Sequence, residues 1–419
     1  MKRILLLAGF LFLNLTSLHS QPAIDPVDMS KARRLMERRQ RGEALSAEET
    51  AYLERARAER RTQQGNPAPA TGAATEIDWD KARALRQRSQ RGDKLSPEED
   101  AYLKRALAAR NAGARGAPGV GGAARPANQR KAPERLTPLT DMSANDRYEG
   151  EDGGLYGGGH NTLPEAHRIT AETELAKIRP LNADGEPDES GVIGFVSISM
   201  SNATQEFSRF KQVADQSPLK SSKVAIVDCA QGGQAMAEWV PADGRPWEEA
   251  RRRLAAAKVS PRQVQVAWIK LANKAPAGSL EDHGRKLERD TLAVLHNAKA
   301  QFPNLRIVYL GSRIYGGNAT GALNPEPYAY ESAFAARWLI QRQMKGDPEL
   351  ALVKSPFLLW GPYLWADGPQ GRKIDPLVWE RADFAGDGVH PSNSGRQKVA
   401  ELLLRFLTSD PLAKTWFAK

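Results

Sequence analysis

Residues 191–207 read GVIGFVSISMSNATQEF. From Gly191 to Ser199 the run is uncharged and rich in β-branched residues, and beyond it the composition turns polar and helix-like. A run this apolar predicts a strand buried on both faces, the kind found in a parallel sheet covered by helices. Ser197, Ser199 and Ser201 fall at alternate positions, the period of a strand. Ser197 and Ser199 read as strand residues. Ser201 stands where the strand gives way to a helix.

Four more runs of the same kind follow: KVAIVDC (Lys223 to Cys229), VQVAWIKL (Val264 to Leu271), RIVYLGS (Arg306 to Ser312) and PFLLWGP (Pro356 to Pro362). Helix-like stretches separate them, from Glu248, Arg285 and Pro327. Apolar strands alternating with helices predict an α/β fold, a three-layer α/β/α sandwich around a five-stranded parallel sheet, over residues 136–419. Such sheets bind ligands at the carboxyl ends of their strands. The residues just past each strand are therefore the ones to inspect.

Those residues form a hydrolase constellation. After the first strand stand Ser201 and Asn202. After the second stand Gln231, Gly232, Gly233 and Trp239. Lys270 and Asn273 end the third, and Arg313 and Tyr315 follow the fourth. Past the fifth, DGVHP places Asp387 three residues before His390, ahead of the last helix. A serine hydroxyl is a weak nucleophile until a base takes its proton, and a histidine held by a carboxylate does so. Gly232 and Gly233 leave main-chain N–H groups open to an oxyanion. Taken alone, Ser201 also reads as an ordinary helix cap. The distant Asp-x-x-His and the Gly-Gly turn are what raise it above that.

On these residues, the stretch from about Tyr148 to Phe406 resembles the SGNH, or GDSL-type, hydrolase superfamily. SMSN (Ser199 to Asn202) is similar to the Gly-Gln-Ser-Asn opening of its carbohydrate acetylesterase and sialate O-acetylesterase variants. AQGGQAMAEW (Ala230 to Trp239) resembles their second block and DGVHP their last. The resemblance implies a flavodoxin-like fold, with Ser201 as nucleophile, His390 as base and Asp387 as its partner. It implies oxyanion donors from Ser201, from Gly232 or Gly233, and from Lys270 or Asn273 in a third block that usually offers Asn or Gln. It further implies an acyl-enzyme route on acylated carbohydrate, acetyl esters above all, with no cofactor. Asn202, Gln231, Trp239, Arg313 and Tyr315 are the candidate substrate-binding residues, and Trp365 could line a sugar site with them or serve the core. Ser199 and Met200 depart from the opening, and the third block reads AWIKLANK. These departures leave a second reading open, a non-catalytic glycan- or cell-wall-binding protein on the same fold.

The chain has 419 residues, more than this domain needs. Lys2 and Arg3 precede an apolar run from Ile4 to Leu18, too short for a membrane span and read as an export signal over residues 1–20. KARRLMERRQRGEALSAEETAYLERA, from Lys31, recurs after 50 residues as KARALRQRSQRGDKLSPEEDAYLKRA, from Lys81. Each copy reads as a helical hairpin, over 21–62 and 76–110, with Ser46/Glu49 and Ser96/Glu99 as capping boxes. Gly/Ala/Pro-rich linkers occupy 63–75 and 111–135. Of the net charge of +10, residues 21–140 carry +8 while 141–419 balance. The basic third reads as a solvated helical surface, with an acidic polymer or cell wall as the partner it leaves open. No nucleic-acid partner is expected.

The single cysteine, Cys229, excludes an intrachain disulfide and reads as a buried, inert thiol. No His, Cys and carboxylate cluster has metal-ligand spacing, and no Gly-x-Ser-x-Gly elbow occurs. The glycine-rich stretch 149–161 lacks the flanking strand and helix of a phosphate loop and reads as a loop edging the cleft.

Overall fold

The computed structural model describes residues 129–419 continuously, 95–113 (side chains to 106), and scattered positions between 28 and 85. The chain divides into two compact units, Met1–Leu107 and Ala108–Lys419. The export signal, the first linker and most of the second lie outside the described residues.

In the first unit the capping boxes are closed reciprocally. Glu49 N–H donates to Ser46 Oγ at 3.1 Å and Ser46 N–H to Glu49 Oε2 at 2.9 Å, and Ser96 and Glu99 repeat the pattern at 3.2 and 2.9 Å. Leu35, Leu53 and Ala56 pack together with Tyr52. Their counterparts 50 positions on, Leu85, Leu103 and Ala106, are buried as well.

The second unit is built on five parallel strands: β1 (Ile193–Ser199), β2 (Val224–Asp228), β3 (Val264–Lys270), β4 (Ile307–Leu310) and β5 (Phe357–Trp360), in the order β2-β1-β3-β4-β5. The alternation of strand side chains separates two cores. Phe195, Val266, Trp268, Tyr309 and Leu359 face one side. There they meet α1 (Glu165–Leu175), α2 (Ser201–Gln216), α7 (Asn393–Ser409) and α8 (Lys414–Phe417). Val196, Ala267, Ile269, Val308 and Leu358 face the other side. They meet α3 (Met236–Trp239), α4 (Arg245–Ala256), α5 (Arg285–Gln301) and α6 (Tyr328–Met344). This is the three-layer α/β/α sandwich the apolar runs predict. Phe207 and Phe210 of α2 set their rings 5.3 and 6.1 Å from Phe195. Burying each such ring contributes about 1.5–3 kcal/mol, so α2 is held firmly on β1.

The connection from β1 goes outward to β2, and the next crosses back to β3 on the other side. The switch point, where two adjacent connections diverge, thus lies at the carboxyl ends of β1 and β3. Ser199 pairs with Lys270 at that edge. The loop 149–161 does not edge this region. It wraps over α6, where the buried Arg337 donates to Asp152 O (2.7 Å) and Gly154 O (3.2 Å). Packing begins earlier than Leu136. Gln129 Nε2 donates to Pro276 O at 2.9 Å, and Arg130 Nε to Gly278 O at 2.7 Å. Among the described residues no helix is long and apolar enough to cross a membrane, and no cluster of His, Cys, Asp and Glu could hold a metal.

Candidate active site

β1 ends at Ser199 and α2 starts at Ser201. Met200 between them is extended, at φ −113° and ψ −169°. One extended residue followed at once by a helix throws the Ser201 side chain up from the sheet edge instead of into either core. Ser199 and Ser197, one and two pleats back, are fully buried in the strand.

Asp387 and His390 are presented by a turn tied at both ends. Ala385 N–H donates to His390 O at 2.8 Å, and Phe384 bridges Pro391. Within the turn, Asp387 Oδ1 accepts from Val389 N–H and His390 N–H, each at 3.0 Å. Gly388 has φ +68°, and a Cβ there would lie 1.6 Å from Asn318 O, so only glycine fits. The three-residue spacing then brings both side chains to one side. His390 Nδ1 lies 2.5 Å from Asp387 Oδ2, and His390 Nε2 lies 2.7 Å from Ser201 Oγ. An ionised carboxylate only accepts, so Nδ1 carries the proton and Nε2 accepts from the Ser201 hydroxyl. Burial pushes the Asp387 carboxyl up, but the bonds from His390 and the two N–H groups outweigh it, and the group stays well below the usual carboxylate range. Three residues from two distant parts of the sequence thus form one line of hydrogen bonds, with an ionised acid at its end.

The line opens into a cleft of about 310 Å³. Met200, Ser201 and Asn202 form one wall, with Gly233 and Ala235 beside them. Lys274, Arg313, Leu323 and Asn324 line the cleft as well, and so do Asp387, Val389 and His390. Gly233 has φ +80° and open space where a side chain would stand. Among the described residues nothing accepts from its N–H. Gly232 is equally open but does not line the cleft. The Asn202 amide is buried, accepting from Ala203 N–H at 2.9 Å, and its Nδ2 is without a partner.

Of the residues predicted from sequence, Ser201, Asn202, Gly233, Arg313, Asp387 and His390 come together here. The others go elsewhere. Lys270 is fully buried and its ammonium pairs with Glu206 on α2. Burial lowers that ammonium to about 8 in spite of the carboxylate. Asn273 offers its main-chain carbonyl to Asn324 Nδ2 at 2.7 Å and does not line the cleft. Gln231 turns inward, donating to Pro246 O at 2.8 Å. Trp239 is a core residue, its ring 4.8 Å from Trp247 and its Nε1 donating to Ser199 O at 3.2 Å. Trp365 is buried with its Nε1 on Glu326 at 2.8 Å. Tyr315 lines a separate cavity of about 300 Å³ with Asp367. Cys229 is buried and its thiol is pushed up by that burial. Leu323, Asn324 and Lys274 went unpredicted. The rule that ligands sit past the strand ends pointed to their loops but not to the individual side chains. None of the residues described around the cleft is aromatic.

No protein-family model matches the chain, and no curated protein does. Two solved structures show a weak likeness. One is a candidate acylhydrolase from Bacteroides fragilis, 14% identical, over 60% of this chain and all of that one, with a TM-score of 0.33. The other is an Arabidopsis thaliana protein, 15% identical, over 48% of this chain and 67% of that one, with a TM-score of 0.30. No residue role carries over from either.

Proposed function

We propose that this protein is a serine ester hydrolase of the SGNH type, removing short acyl groups, acetyl above all, from carbohydrate. The observation that carries the reading is the hydrogen-bonded line from Ser201 Oγ through His390 to Asp387 at the switch point of the sheet. Ser201 Oγ attacks the ester carbonyl carbon while its proton passes to His390 Nε2, and the carbonyl electron pair moves to the oxygen. Collapse of the tetrahedral species expels the alcohol, which takes the proton from His390. Water repeats the sequence on the acyl-enzyme. Asp387 stays ionised throughout and holds the imidazolium. Gly233 lines the same cleft, and its unbonded N–H is the main-chain donor available to the oxyanion. A volume of about 310 Å³ is near the lower end for small-molecule sites, which favours a short acyl chain.

A glycan-binding role without catalysis leaves the hydrogen-bonded line of Ser201, His390 and Asp387 without a use. Export, from the Ile4–Leu18 run, and contact of the basic repeats with an acidic polymer belong to the same proposal. The test is Ser201→Ala on 4-nitrophenyl acetate. Turnover should fall by about a thousandfold or more, and a fluorophosphonate should label the wild type and not the variant. Undiminished turnover in S201A would sink the assignment.

A further inference from the structure

We infer that Arg313 supplies the cationic donor of the oxyanion hole, its guanidinium receiving the charge that develops on the ester oxygen as Ser201 attacks. This rests on the esterase reading above and assigns a part to a residue that sequence reasoning places only among the substrate contacts.

Arg313 is 3% exposed. A buried cation normally has an anion beside it, because leaving it alone in low dielectric is costly. Arg313 has none. Its Nη1 has only the Met200 sulfur, at 3.9 Å, and its Nε has no partner. Nη2 makes no bond among the described residues, and the side of the guanidinium left accessible opens on the cleft. Met200 immediately precedes Ser201, so the cation rests directly behind the start of α2.

The nearby carboxylates are bonded to other groups, with Glu206 Oε1 alone left without a partner. Glu206 holds Lys270, and Glu238 holds Lys274. Glu326 accepts from Gly316 N–H at 2.6 Å, Tyr330 N–H at 2.9 Å and Trp365 Nε1 at 2.8 Å. Asp387 holds His390. Glu206 and Glu326 act on Arg313 only through their fields, and burial pulls its guanidinium down to about 10.

Main-chain groups beside it add to its effect. The N-terminal end of a 16-residue helix carries positive partial charge, and the unbonded Gly233 N–H adds a donor. The Arg313 guanidinium therefore lines the cleft with no anion bonded to it. The negative charge that appears during the reaction, on the carbonyl oxygen of the tetrahedral intermediate, supplies one. Lys270, which stands where the third block would offer a donor, is committed to Glu206. Arg313, from the next strand end, is among the described residues of the cleft the cation with no carboxylate bonded to it, and it takes that place. No bond forms to Arg313. It stabilises the oxyanion while the C–O pair and the proton move as described above.

The experiment compares wild type, Arg313→Lys and Arg313→Met on neutral phenyl acetate and on 4-acetoxybenzoate, which carries a carboxylate. Removing one preorganised donor of this kind costs about a hundredfold or more in kcat. The expected order of kcat is wild type, then R313K, then R313M, with KM moving little and the same loss on both esters. Guanidinium ion added to Arg313→Ala should restore part of the rate. A kcat for R313M within threefold of wild type overturns the inference. So does a loss confined to the charged ester, which would make Arg313 a reader of substrate charge. A wild type that neither hydrolyses phenyl acetate nor is phosphonylated at Ser201 overturns the esterase reading and this one together, whereas labelled Ser201 with unaffected Arg313 variants overturns this one alone. R313K keeps the charge and nearly the volume, so the comparison survives if the shorter variants fold poorly.

Discussion

Two serines four residues apart, Ser197 and Ser201, both end in a hydrogen bond to a titratable group, and they do different things. Ser197 Oγ donates to Asp228 Oδ1 at 2.6 Å and accepts from Cys229 N–H and Ala230 N–H, both at 3.1 Å. Thr204 and Ser208 add their hydroxyls to Asp228 Oδ2 at 2.5 and 2.7 Å. This is a closed network that ties β1, β2 and α2 together, and every polar atom of Ser197 is used. Ser201 donates to a nitrogen and keeps its lone pairs facing a cleft. A serine on a carboxylate already held by three hydroxyls has nothing left to give. A serine on an imidazole whose other nitrogen is pinned has a proton acceptor ready.

The comparison breaks most sharply at Asp387. Asp387→Asn leaves the turn in place but lets His390 take the wrong tautomer, and kcat on 4-nitrophenyl acetate should drop by about ten-thousandfold with the circular dichroism spectrum unchanged. A loss of less than tenfold would mean the acid does not orient the base. Next in size is Ser197→Ala, which strands the buried Cys229 N–H at the end of β2 and takes a donor from Asp228, while Ala230 N–H keeps Asp228 Oδ1. Unfolding in urea should show a loss of about 1–3 kcal/mol, while kcat stays within a few-fold of wild type. A collapse of activity at unchanged stability would erase the distinction between the two serines.

The smallest effect separates the two acids by sign. Asp387 sits below its ordinary range in the folded state, so its stabilisation is present above the usual carboxylate pKa and is lost as pH falls toward the folded value. Desolvation raises Asp228 despite its three hydroxyl partners. Its folded form therefore holds a proton the unfolded chain has released, and stability declines as pH rises through that interval. D387N should flatten the acid-side loss in a melting-temperature profile, and D228N should steepen it. Profiles that shift in the same direction would contradict the assignment of the two environments.

Much of this was legible in the chain. Five mostly apolar, β-rich runs separated by helical stretches dictate a covered parallel sheet, because a strand with apolar residues in both phases leaves no face for water. The opposite placement of Phe195 and Val196 in two cores is the same fact seen from inside. Asp387 and His390 could be paired because three residues and a glycine make one turn. Trp239 and Gln231 misled, since position past a strand end does not say whether a side chain turns to the cleft or the core. Both point inward, where Ser199 O and Pro246 O accept from them.

By itself the sequence determined what depends on near neighbours: strand and helix periods, the capping boxes of the repeats, the strand-to-helix step at Ser201 and the Asp-x-x-His turn. Only the tertiary structure decided which cation of the strand ends stays free. Lys270 is neutralised by Glu206, 64 residues earlier, because β3 lies beside β1 and α2 returns over them. Arg313, one strand further along, bonds to no carboxylate among the described residues, and Glu206 and Glu326 act on it only through their fields. Pairing in a low-dielectric interior goes to the nearest charge in space, and nearness in space is not written in the order of residues.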